Sequence, residues 1–196
     1  MPAFAPNLVL EGLALGGTAA CLAWAAYHDY RAMIIPKVIS FTILGLALPF
    51  HVLRGALLAG SGQSVWLLGG GNPILGAVDG MLLAFAGLLT GLAIFIPLWI
   101  LKASGGGDVK VFAATAAVLG PTLAVFLLLI TMVVVMVWTV AIMLLKARGG
   151  IATSPLGFAP PLLVAFLLLG SWIHVRDQNL IPPTDHVARM GVGHAR

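Results

Sequence analysis

Residues 111–145 read VFAATAAVLGPTLAVFLLLITMVVVMVWTVAIMLL, a run of 35 without one charged side chain. As a single helix rising 1.5 Å per residue it would be about 52 Å long, against a bilayer hydrocarbon core of about 30 Å. One straight span is therefore the wrong length. Gly120-Pro121 is the natural break, since Gly weakens a helix interior and Pro is well suited to a first helical turn. The run divides into a short fourth helix, about 108 to 119, and a long fifth, about 121 to 145.

The rest of the chain fits the same solvent. Of 196 residues 61% are hydrophobic and 8% charged, with mean hydropathy +1.10; a soluble domain carries about a quarter charged residues. Too few charges remain to solvate a water-facing surface, which excludes most soluble-enzyme folds. Working outward from the long run, a first span is expected from Asn7 to Tyr27 and a second from Ile35 to Leu53, with Arg54 just beyond it. A Gly/Ser-rich loop over 55–73 follows, its Val65-Trp66-Leu67-Leu68 suited to the interface, and then a third span, 74–101. A sixth is expected from Pro155 to Ile173. The expected architecture is an all-α membrane protein, a bundle of six transmembrane helices. Residues 1–173 form a single domain and 174–196 a polar tail. The first thirty residues hold no Lys or Arg, so the first stretch is expected to be a retained span and not a cleaved signal.

Net charge is +4. In such a chain the excess reflects basic cytoplasmic loops, and nucleic-acid binding is not implied. With six spans, Arg31, Lys37, Lys102, Lys110, Lys146 and Arg148 share one face, placing that face in the cytoplasm and both termini outside. Cys21, the single cysteine, excludes an internal disulfide. The five histidines lack metal-ligand spacing.

So few acids are present that each can be weighed. Asp29 ends span one and Asp108 opens span four; the chain crosses twice between them, so both lie on one face. Gly105-Gly106-Gly107 precedes Asp108 and permits close backbone approach. Two carboxylates in a partly dry site share a proton, one acting as base on water while the other polarises a carbonyl. That chemistry needs neither metal nor cofactor. The bland alternative is structural: Asp29 beside Arg31 at the interface, and Asp108 capping a helix. Proton relay in a small ion-coupled transporter or channel is a further use of membrane carboxylates.

Asp29-Tyr30-Arg31 running into Ile35-Pro36, with Gly105-Gly106-Gly107-Asp108-Val109-Lys110 later, resembles the type IV prepilin peptidase family, whose pattern pairs Asp-x-Lys/Arg and Ile-Pro-Asn with Gly-x-Gly-Asp. The resemblance implies a membrane-embedded aspartic endopeptidase with Asp29 and Asp108 catalytic and Gly105 and Gly107 shaping the loop that presents Asp108. It implies a prepilin or pseudopilin substrate within the bilayer, cleaved after its short basic leader at the cytoplasmic side of the inner membrane. Lys37 stands where the family usually has Asn. The paired-Cys segment of the larger bifunctional members has no counterpart in the sequence, so no methyltransferase activity is expected; the compact form is similar to the peptidases of tight-adherence pili and of archaea. Arg31 and Lys110 are candidates for substrate contact or for tuning the pair. Each serves equally as a surface charge anchor. Glu11 and Asp79 are expected near the opposite face, away from the pair.

Overall fold

The computed structural model describes residues 8–68, 70–102, 104–147 and 157–180. Six helices make up the described chain: α1 (Leu8–Ala32), α2 (Lys37–Gly60), α3 (Pro73–Ile100), α4 (Gly106–Leu119), α5 (Pro121–Ala147) and α6 (Ala159–Leu180). Four of them, α1, α2, α3 and α5, are long and apolar enough to cross a membrane. The 14 residues of α4 reach about 21 Å, and the apolar part of α6, Ala159–Ile173, is of similar length.

The expected break in the long run is where the chain turns. Gly120 has φ +79°, a left-handed conformation that L side chains rarely adopt, and Pro121 opens α5. α4 is buried on every side from Val111 to Leu119. A helix apolar all round belongs in the middle of a bundle, and its alanines at 113, 114, 116 and 117 let neighbours come close. α3 exploits this with two small-xxx-small pairs. A Cβ on Gly76 or Gly80 would strike the α2 backbone at Gly55 or His51, and one on Gly87 or Gly91 would strike α4 at Ala116 or Ala113. Thus α2, α3 and α4 form the compact centre; α1 packs on α2, α5 on α3 and α4, and α6 chiefly on α1 and α5, leaving much of α5 exposed.

Three helix ends differ from expectation: α1 runs past Tyr27 through Asp29 to Ala32, and α2 and α6 are also longer. α2 does not stop at Leu53 but runs to Gly60. Arg54 lies buried inside it, its Nε 3.5 Å from Oε1 of the buried Glu11. A cation met by a carboxylate can stay within an apolar helix, so the charge does not mark an end. The loop before α3 is correspondingly short, and Asp79 ties it down. This fully buried carboxylate accepts hydrogen bonds from the backbone N–H of Trp66 at 2.6 Å and of Leu67 at 2.9 Å. Val65 is buried while Trp66, Leu67 and Leu68 are exposed. At the other end of the chain, α6 continues past Ile173 to Leu180, so residues 174–180 of the expected tail are helical; the expected start at Pro155 and the rest of the tail from 181 lie outside the described residues.

Candidate active site

Asp29 sits in the last turn of α1 and Asp108 in the first turn of α4. Both line one cavity of about 1120 Å³. Its lining includes Phe95 and Phe158, and α5 contributes Met132, Trp138 and Thr139. Mixed apolar walls around a few converging polar groups are the ordinary make-up of a binding cleft.

Each carboxylate is held by one oxygen at a helix start. Asp108 reaches back, as the third residue of its helix, to accept from the Gly105 N–H at Oδ2, 2.9 Å away. The Ser104 hydroxyl adds a longer bond of 3.4 Å to the same oxygen. This is the backward half of a capping box. Asp29, buried at the end of α1, accepts at Oδ2 from the Ala159 N–H at the start of α6, 2.9 Å away. In both residues Oδ1 has no such tether among the described hydrogen bonds.

Asp108 lies in α4, outside the four long spans. Burial pushes its carboxyl above the ordinary value of 3.8; the Gly105 N–H pulls the other way, and the nearby Asp29 charge raises it further.

The glycines before Asp108 matter for room and not for conformation. Gly105 has φ −76°, available to any residue. A Cβ there would stand 3.2 Å from Asp108 Oδ2, and one at Gly107 3.3 Å from Ile35 Cβ. Backbone strain falls instead on Met33 (φ 53°) and Lys102 (φ 59°), which follow α1 and α3 where those helices approach the cavity. Of the other candidates, Arg31 is exposed with its guanidinium 4.9 Å from the centre of the Tyr27 ring, and Lys110 is exposed.

The model of the type IV leader peptidase family matches residues 17–140. The chain belongs to that family. The matched segment carries both aspartates and extends from within α1 to within α5, so this family member is a peptidase by its relationship and an all-helical, multi-pass membrane protein by its four long apolar helices. Among curated proteins and among solved structures none matches significantly.

The contribution of α6 to the site escaped sequence reasoning. Its residues lie beyond the matched segment and 130 positions from Asp29. The available signal was Gly157 shortly before Pro160-Pro161, a turn residue followed by a helix start.

Proposed function

We propose that this peptidase is an intramembrane aspartic endopeptidase in which Asp29 and Asp108 form the catalytic pair. It would remove the short basic leader of type IV prepilins or pseudopilins at the cytoplasmic face of the inner membrane, without methyl transfer. The observation that carries this reading is the convergence of two carboxylates, from helix ends far apart in sequence, on one apolar-walled cavity. In this reading α4 and α6 complete a six-helix bundle within the bilayer, both termini lie outside, and residues 1–173 form the peptidase domain.

A carboxylate pair that shares one proton divides into an acid and a base. In this reading Asp108 serves as the acid and Asp29 as the base. Asp29 takes a proton from a water as its oxygen bonds to the scissile carbonyl carbon, and Asp108 gives its proton to the carbonyl oxygen. The resulting gem-diol collapses as the C–N bond breaks: the amine leaves with the proton from Asp29, and the hydroxyl that becomes the carbonyl returns its proton to Asp108.

The other buried acids support peptidase chemistry over a transmembrane proton relay, because they are already engaged: Asp79 on two backbone N–H groups and Glu11 with Arg54. Asp29→Asn and Asp108→Asn should each abolish cleavage of a co-expressed prepilin while leaving the protein's membrane level unchanged. Cleavage retained in either variant would remove that residue from the pair.

A further inference from the structure

A helix ordinarily begins with four backbone N–H groups that have no partner within it. α6 begins Ala159-Pro160-Pro161, and prolines have no N–H to offer. The Leu162 N–H is satisfied by the Phe158 carbonyl at 3.2 Å. Only the Ala159 N–H remains from the first turn, and it is spent on Asp29. The approach is possible because residue 157 is Gly: a Cβ there would lie on the Asp29 carboxylate itself, against Cγ and both oxygens. Between these two residues Phe158 meets Phe95 edge-on, with ring centres 5.3 Å apart. Phe95 in turn stacks on Phe112 at 4.4 Å, one turn beyond Asp108.

We propose that Gly157, Phe158 and Ala159 form a positioning segment for Asp29, fixing Oδ2 by the one free donor of α6 so that Oδ1 alone is presented to the reacting water. The aromatic series Phe158–Phe95–Phe112 ties that segment to the helix carrying Asp108, so the two carboxylates keep a common spacing. No residue of the segment touches substrate in this assignment; each acts through Asp29. The proposal rests on the peptidase reading of Asp29 and Asp108, and it concerns residues outside the stretch that matches the family.

Ala159→Pro tests it directly. Proline is well accommodated at a first helical position, so the helix start is kept while its donor is deleted. Ala159→Gly keeps the donor. With the purified protein and a purified prepilin in phospholipid proteoliposomes, Ala159→Pro is expected to lower kcat by about 100-fold, the scale of a small misplacement of a catalytic group, with KM changed less than about twofold. Ala159→Gly should stay near wild type in kcat. Gly157→Ala, which places a methyl on the carboxylate, gives a second route to the same kcat loss should Ala159→Pro fail to fold. Wild-type kcat in a folded Ala159→Pro or Gly157→Ala protein, or a loss residing in KM, would overturn the assignment. Asp29→Asn and Asp108→Asn run alongside separate the two levels. If those cleave normally the peptidase reading itself fails; if they are inactive while the Ala159→Pro protein cleaves normally, only the positioning role falls.

Discussion

Asp108 is a residue held against its own solvation preference. Its carboxyl binds a proton more tightly in the folded protein than at the ordinary value of 3.8, so the fold loses stability as pH rises from there through the raised value. Asp108→Asn has no charge to desolvate and can still accept from Gly105. It should therefore melt at a higher temperature than wild type at pH 7, the difference closing as pH falls toward about 4, measured by thermal unfolding in detergent. Ser104→Ala acts oppositely on titration. Its hydroxyl favours the charged form, so removing it should move the alkaline limb of the kcat/KM profile to higher pH. Asp29 and Asp108 were legible as a pair because charges are scarce and parity put them on one face. Their seats were not, since a hydrogen bond from Ala159 to Asp29 spans 130 positions and leaves no local pattern. The close approach expected of Gly105 is what it provides: its φ is ordinary, and the missing Cβ leaves space beside Asp108.

Among elements, α3 is the one whose composition does the most structural work. Gly76 and Gly80 face α2 while Gly87 and Gly91 face α4, so one helix draws two others to backbone contact. Gly80→Ala would drive a methyl onto the His51 carbonyl and should destabilise by about 2 kcal/mol, within the range for overpacking. Gly45→Ala, where a Cβ meets nothing within 4 Å, should be neutral or stabilise by up to about 1 kcal/mol through helix propensity. Parallel thermal melts of the two proteins check both signs. The break at Gly120-Pro121 was readable because length alone forbade a single span. The end of α2 was not, because Arg54 looked like a terminus until its partner Glu11, 43 positions away, was in place.

For the whole molecule, the strongest expectation concerns sidedness. α2 leads away from the aspartate end and α3 returns to it, so the loop tied by Asp79 and the loop holding Ser104 lie at opposite ends of the bundle. In a Cys21→Ser background, a membrane-impermeant maleimide applied to intact cells should label Gln63→Cys and spare Lys102→Cys until the membrane is opened. The reverse pattern would invert the proposed orientation. The hydrogen bond between Asp29 and Ala159 also has a temporal side. During synthesis Asp29 is made long before Ala159, and at ribosomal rates of about 5–20 residues per second 130 positions take roughly 7 to 26 s. Throughout that interval the nascent chain holds its first aspartate without the donor that seats it. Under the proposed positioning role of Ala159, working geometry is reached only when α6 arrives, and unfinished copies are spared from acting early among other newly inserted helices.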